Sequence, residues 1–261
     1  MKNNIKKEQN GELSALEKEF IKQFVEDHYT FGRGNTLKGK LEDKDSEELK
    51  ESKNYLVATF VLLFLDYKKR MGGNADVKDA IKYLNQGFFS SAFLVGDNVI
   101  KLGLSSYEGI ELGVDSPAAL KVFYQKKIKL IDTLYCSITI LPYVQTKTFG
   151  EEDVYQVFKG LRDSGYLWND PTPENIGILQ ENHTSNFEGI SYDSLKVGQK
   201  PGDLVALDLD DMCDLKKFTP DELHWITDDV EFGAYNHNVY RFEQRYEKET
   251  KTCIRILWYN I

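Results

Sequence analysis

The sequence predicts an α+β protein that carries a helical extension at its N-terminus. Within 1–78, two stretches have the apolar pattern of helices, and short strand-like runs follow from Asp79 onward. A chain of 261 residues can bury a sizeable core without disulfides or structural metal. A hydrophobic fraction of 41% excludes a mostly disordered chain. We therefore expect a helical extension over 1–78, a small lobe built on an antiparallel sheet over 79–144, and a reduced large lobe over 145–261.

The predicted extension contains two helices. The first covers 14–28, where Ser14 and Glu17 are spaced as in a capping box. The second covers 45–71 and contains the longest apolar run of the chain, 55–65. That run is too short to span a bilayer as a helix, so we expect no membrane span.

The net charge and the cysteines indicate which partners the protein binds and in which cellular compartment it is found. The formal net charge is −9, whereas a nucleic-acid binder usually carries a basic surplus, so no nucleic-acid partner is expected. The three cysteines are dispersed and show no metal-ligand spacing, which is typical of reduced thiols. The polar N-terminus also lacks the apolar stretch of a secretory signal. Together these features predict a cytoplasmic protein.

Short apolar runs predict the sheet of the small lobe. Runs over 81–84, 92–95 and 99–102 form a predicted antiparallel meander, with turns at Gly87 and at 96–98. The further predicted elements are a helix over 116–130, a strand over 135–141, a helix over 151–164, and strands over 166–168, 176–179 and 204–209.

Two segments carry the first part of the candidate chemistry. In the strand 99–102, Lys101 places a cation among apolar residues, and a buried ammonium usually has an anionic partner. In the loop that follows 166–168, Asp170 and Asn175 lie five positions apart, and Pro171 and Pro173 stiffen the loop between them. A carboxylate and a carboxamide held in this way can serve a hydroxyl nucleophile and a divalent metal.

A third segment, 204–211, ends a predicted strand in an acidic cluster. Asp208 follows an apolar run, and Asp210 and Asp211 come after one intervening leucine. Mg²⁺ binds through one or two carboxylates together with substrate phosphates, so this strand end is a candidate metal site. Taken singly, the three segments also fit a surface lysine, an Asx turn and a solvated acidic turn.

The order of these segments resembles the protein-kinase-like superfamily: a glycine turn, a strand lysine, an Asp-x4-Asn loop and a strand-end aspartate. The stretch 168–179, WNDPTPENIGIL, is similar to the catalytic loop of aminoglycoside phosphotransferases and lipopolysaccharide-core kinases. The stretch 204–211, LVALDLDD, is similar to their metal-binding strand end. The resemblance covers about 80–215. It implies a minimal, bilobal protein-kinase-like fold and an ATP- and Mg²⁺-dependent kinase that phosphorylates an alcohol group.

The resemblance also implies a role for each candidate residue. Lys101 would contact the α- and β-phosphates of ATP, and Asp170 would accept or orient the acceptor hydroxyl. Asn175 and Asp208 would hold Mg²⁺. The other implied ATP-binding residues are Gly87, Ser90 and Ser91 in the turn over the phosphates, Glu111 as the partner of Lys101, and Leu141, Tyr143 and Val144 in the hinge that receives the adenine.

Departures from the family pattern leave the phosphate acceptor open. The turn has Gly87 as its single glycine, Trp168 and Asn169 replace the usual His-Arg, and no Ala-Pro-Glu segment follows Asp208. These features fit a compact kinase acting on a protein serine or threonine, which we favour, or a small-molecule or sugar kinase. They also fit a non-catalytic binding module, or a kinase fold that transfers AMP or glutamate in place of phosphate.

Overall fold

The computed structural model is a mixed α+β structure, which confirms the predicted class. Among the residues it describes there are five α-helices and a five-stranded antiparallel sheet. The described residues are 12–32, 47–87, 90–106, 108–109, 113–131, 133–209, 212–217 and 237–250.

The described chain divides into two compact units. The first unit contains the described residues of Met1–Leu112, Val122–Tyr143 and His183–Ser194. The second unit contains those of Gly113–Lys121, Val144–Asn182 and Leu195–Ile261.

Two long helices of the first unit confirm the helices predicted near the N-terminus. Helix α1 covers Ala15–His28 and helix α2 covers Glu47–Arg70. The predicted capping box is present, because Ser14 Oγ accepts from the Glu17 amide and the Glu17 carboxylate accepts from the Ser14 amide at 2.8 Å. Among the described residues, no helix combines the length and the apolar character needed to cross a bilayer.

The sheet of the first unit has the order β1-β2-β3-β5-β4 and is antiparallel throughout. The short helix α3, Val77–Ala80, leads into it. Its strands are β1 Ile81–Gln86, β2 Ser90–Val95, β3 Asn98–Ser105, β4 Tyr124–Ile131 and β5 Leu134–Pro142.

The helix predicted over 116–130 is wrong, because residues Tyr124–Ile131 form strand β4. Ser116 and Pro117 are typical of a helix start, but pairing with β5 determines the conformation of the residues that follow. Pairing buries Ile128 and Leu130 in the core of the first unit.

The two faces of the sheet have different environments. Ile100 and Leu102 of β3 are fully buried and belong to one core cluster with Phe60 of α2 and Phe93 of β2. Because successive side chains of a strand point to opposite faces, Lys101 lies on the face away from that core.

The second unit places two small sheets beside two helices. Helix α4, Glu151–Asp163, buries Tyr155, Phe158 and Leu161 in a cluster that includes Trp168 and Phe242. One sheet has the order β11-β8-β6 and consists of β6 Val144–Gln145, β8 Ile176–Leu179 and β11 Leu204–Ala206; in the other, β7 Tyr166–Trp168 pairs with β12 Met212–Asp214. The second helix, α5, covers His237–Thr250. The remaining strands, β9 Thr184–Phe187 and β10 Ile190–Asp193, form a hairpin that belongs to the first unit.

Candidate functional site

A short loop between β7 and β8 carries Asp170 and Asn175. The loop is closed by two main-chain hydrogen bonds, from the Thr172 amide to the Asp170 oxygen at 3.0 Å and from the Asn175 amide to the Thr172 oxygen at 3.1 Å. A 3₁₀ turn over Pro173–Asn175 then leads directly into β8. The proline fixes φ at the start of this turn, which favours one loop conformation. The loop therefore brings two residues that are five positions apart into contact.

The amide of Asn175 binds Asp170 twice. Asn175 Nδ2 donates to Asp170 Oδ2 at 2.7 Å and to the Asp170 main-chain oxygen at 3.2 Å. Both partners are acceptors, so only the NH₂ end of the amide can face them. This contact fixes the orientation of the amide and leaves Asn175 Oδ1 as its remaining acceptor.

One oxygen of Asp170 is buried and accepts no hydrogen bond from the part of the chain that the structure describes. This atom is Oδ1, and the Oδ1 atom of the neighbouring Asn169 is likewise buried without a hydrogen bond from the described residues. Buried polar atoms usually have a partner, so two such atoms on adjacent residues mark a place where a polar ligand can bind.

Burial is the main cause that raises the pKa of Asp170 above its usual value. The hydrogen bond from Asn175 opposes this shift, and the negative charges of Asp208 and Glu174 add to it. A raised pKa makes a carboxylate a better proton acceptor near neutral pH. Asp208 is thus one of the charged neighbours of Asp170.

The strand β11 places Asp208 beside this loop. Ala206 of β11 pairs with Ile176 of β8, and the Leu207 amide donates to the Asn175 main-chain oxygen at 2.9 Å. Asp208 therefore follows a residue that is hydrogen-bonded to Asn175. The structure thus brings together Asp170, Asn175 and Asp208, whereas Asp210 and Asp211 lie outside the described residues.

The oxygen donors of this cluster match the chemistry of Mg²⁺. Asn175 offers an amide oxygen and Asp208 a carboxylate, and Mg²⁺ prefers one or two such ligands completed by water and substrate phosphate. Asn175 and Asp208 could therefore hold Mg²⁺ together with a substrate phosphate. Within the described ranges, no group of three or more His, Cys, Asp or Glu side chains is arranged to hold a metal ion.

Lys101 lies in the first unit, in the middle of β3. It pairs with Ala92 of β2 and with Thr139 of β5, and its side chain is half-buried. Its position in the sheet is thus fixed by neighbours on both sides.

The structure places Ser90 and Ser91 on opposite faces of the sheet. Ser90 pairs with Gly103, which lies on the same face of β3 as Lys101. Ser91 is fully buried on the opposite face, which packs against the helices. The Gly87 amide donates to the Ser90 main-chain oxygen at 2.8 Å and closes the turn between β1 and β2. Residues 88–89 of that turn lie outside the described residues.

The predicted hinge lies where the chain passes from the first unit to the second. Leu141 is buried in β5, and the Tyr143 amide already donates to the Asp97 main-chain oxygen at 2.8 Å. Val144 begins β6 and pairs with Leu179 of β8. Glu111, predicted as the partner of Lys101, lies outside the described residues.

Sequence reasoning missed the contribution of Glu174. This residue is exposed, but its charge helps to raise the pKa of Asp170. Its position between Asp170 and Asn175 in the loop could have identified it as an electrostatic neighbour.

Comparisons with known proteins found similarity to solved structures alone. No family model matches the chain, and no curated protein matches it. Among solved structures, the chain is similar to the bifunctional kinase-methyltransferase WbdD, with 10% sequence identity and a TM-score of 0.30. The similarity covers 66% of this chain, and the chain spans 45% of the length of that protein.

Proposed function

We propose that this protein is an ATP- and Mg²⁺-dependent phosphotransferase with a minimal, bilobal protein-kinase-like fold. It transfers a phosphoryl group to a hydroxyl, and a protein serine or threonine is the favoured acceptor. The observation that carries the proposal is the pair of hydrogen bonds from Asn175 Nδ2 to Asp170. An aspartate and an asparagine at this spacing are the parts that orient the acceptor and bind a metal in kinase catalytic loops.

Asp170 is the catalytic residue in this proposal. Its Oδ2 is held by Asn175, and its buried Oδ1 is the atom that would accept a hydrogen bond from the acceptor hydroxyl. As the hydroxyl oxygen forms its bond to the γ-phosphorus of ATP, the bond from that phosphorus to the ADP oxygen breaks, ADP leaves, and Asp170 Oδ1 takes the hydroxyl proton. The raised pKa of Asp170 favours this proton transfer.

Asn175 Oδ1 and the Asp208 carboxylate would hold Mg²⁺. The ion, when bound, neutralises the charge that develops on the transferred phosphoryl group. Hydrogen bonds fix Asn175 on its side chain and on its main chain, so its Oδ1 atom is pre-oriented. The fit rests on the oxygen-only character of the donors.

The ATP-binding part of the proposal assigns Lys101 to the phosphates, as the second catalytic residue. Ser90, on the same face of the sheet, supports this assignment more than the buried Ser91 does. The turn that begins at Gly87 would cover the phosphates, and the hinge 141–144 would receive the adenine.

Phosphoryl transfer by the wild type and two matched variants tests the proposal. The wild type, Asp170→Asn and Glu174→Gln are incubated with Mg-ATP and a serine/threonine peptide library, and ADP release and product mass are measured. We expect Asp170→Asn to lower kcat about 100- to 10,000-fold, the usual contribution of a general base. Glu174→Gln should lower kcat far less than Asp170→Asn does, because Glu174 is exposed and acts on Asp170 through its charge alone.

The same assay distinguishes the candidate activities from one another. Equal turnover by the wild type and Asp170→Asn would contradict the catalytic assignment. Transfer to sugars but to no peptide would support a small-molecule kinase, and a mass increase other than that of phosphate would indicate transfer of AMP or glutamate. Mg-ATP binding without turnover would support a non-catalytic module.

A further inference from the structure

Two side chains of the loop 195–203 bind the main chain of a distant segment, 113–121. Lys196 Nζ donates to the Val114 oxygen at 2.6 Å and to the Ser116 oxygen at 3.0 Å. Gln199 Nε2 donates to the oxygens of Pro117 and Ala119 at 2.8 and 3.0 Å. Four carbonyls of one short segment are therefore held by two side chains.

The 113–121 segment forms no helix or strand of its own, so side-chain donors add to its few main-chain hydrogen bonds. The oxygens of Val114 and Ser116 also accept from main-chain amides of the segment, at 2.9 and 3.2 Å. Buried carbonyls need partners, and Ala119, whose oxygen accepts from Gln199, is buried. Gln199 is also buried, at 7% exposure, so its amide has little access to water. The two residues act as a clamp, defined here as Lys196 and Gln199 on the 113–121 segment.

The clamped segment pairs with one edge of strand β11. Ala119 and Ala206 form a parallel bridge, in which the Leu120 amide donates to the Ala206 oxygen at 3.0 Å and the Ala206 amide donates to the Ala118 oxygen at 2.9 Å. On its other side, Ala206 pairs with Ile176 of β8. The strand is thus held on both sides at Ala206, two residues before Asp208.

Further contacts tie the same segment to helix α4 and strand β7. Ser164 Oγ donates to Ser116 Oγ at 2.8 Å, and the Asp115 amide donates to the Tyr166 hydroxyl at 3.1 Å. A Cβ at Gly160 of α4 would lie 2.8 Å from the Ala118 Cβ, which shows how closely the helix approaches the segment. The segment is therefore packed between α4 and β11, and the loop 195–203 contacts it through the two side chains of the clamp.

We propose that Lys196 and Gln199 are positioning residues that fix Asp208 for metal binding through the 113–121 segment and Ala206. This inference rests on the proposed function, which assigns Asp208 to Mg²⁺. The small Mg²⁺ ion demands near-ideal octahedral geometry, so a small displacement of a ligand weakens binding. Residues that orient a ligand without touching the metal commonly contribute strongly to metal affinity.

The test uses Lys196→Met, Gln199→Leu and a neighbouring control, Lys200→Met. Residue-resolved hydrogen exchange at the amides of Leu120 and Ala206 reports directly on the clamp. The Mg²⁺ concentration that gives half-maximal ATP turnover reports on the metal site, and a thermal melt checks that each variant folds. Lys196→Arg retains donors at the same place and serves as the conservative variant.

We expect both clamp variants to accelerate exchange at these two amides and to raise the half-maximal Mg²⁺ concentration about 10- to 100-fold. Lys200→Met should match the wild type, and Lys196→Arg should recover most of the Mg²⁺ response. A purely structural role would lower the melting temperature and leave the Mg²⁺ response unchanged, and that result would overturn the inference. Unchanged exchange in both clamp variants would also overturn it.

Failure of the proposed function gives a different result. In that case the wild type shows no Mg²⁺-dependent turnover at all, whatever the exchange data show, and the metal role of Asp208 is overturned with it. Wild-type turnover combined with an unaltered Mg²⁺ response in the clamp variants overturns the positioning role alone.

Discussion

The buried ion pair between α4 and α5 offers a sharp test of how the second unit is held together. Arg162 and Glu243 have side chains that are only 5% and 6% exposed, and they form a two-pronged contact. Arg162 Nε donates to Glu243 Oε1, and Arg162 Nη2 donates to Glu243 Oε2 at 3.1 Å. The guanidinium also lies 5.1 Å from the centre of the Tyr246 ring.

Removing one partner leaves the other charge buried without compensation. Arg162→Met therefore lowers the free energy of unfolding by about 3–5 kcal/mol, and Glu243→Leu does the same. The double variant replaces both charges by apolar groups of similar size, so its stability should lie much closer to that of the wild type. Lys50→Met, at an exposed pair with Glu47, should change stability by no more than about 0.5 kcal/mol.

Urea unfolding with linear extrapolation measures all four variants. Single variants as stable as the Lys50 control would refute the reasoning, because the pair would then contribute no more than a surface contact. A double variant that loses the full sum of the two single losses would refute it as well, since the two charges would then act independently.

Further predictions concern stability at single positions. Burial lowers the pKa of Lys196 from its usual 10.5 to about 8, so the unfolded chain binds the proton more tightly. The free energy of unfolding should therefore rise as the pH rises from about 8 to 10.5 and should show no contribution from this titration below pH 8. Urea unfolding at a series of pH values measures this rise, which Lys196→Met should abolish. Gly177→Ala would place a Cβ 2.5 Å from Val144 Cγ2 and 2.9 Å from Leu207 Cδ2, and overpacking of this kind costs about 1–3 kcal/mol in denaturant unfolding. Ser14→Ala removes the cap of α1 and should lower the free energy of unfolding by about 1 kcal/mol, which a lower melting temperature would report.

Local signals in the sequence were enough to predict the parts of the fold that local interactions determine. The capping box of Ser14 and Glu17 and the helix it begins depend on neighbours three positions apart. The loop that carries Asp170 and Asn175 was predicted on similar grounds, since Pro171 and Pro173 restrict its conformations, whereas the hydrogen bond between the two side chains was not predicted.

The parts that sequence reasoning missed depend on long-range pairing. Strand β4 carries local helix-start signals just before it, but its pairing with β5 and the burial of Ile128 determine its conformation. The clamp is a second case, because Lys196 and Gln199 bind main-chain carbonyls about 80 residues away and a carbonyl carries no sequence signal. Tertiary contacts of this kind override local propensity.

The magnesium dependence of ATP binding tests the central claim most directly. Isothermal titration of ATP, with and without Mg²⁺, would compare the wild type, Asp208→Asn and the control Asp214→Asn in β12. We expect Mg²⁺ to strengthen ATP binding to the wild type and to Asp214→Asn, and we expect Asp208→Asn to lose this gain. Identical ATP binding by all three proteins, with no effect of Mg²⁺, would contradict the assignment of Asp208 and the phosphotransfer site built around it.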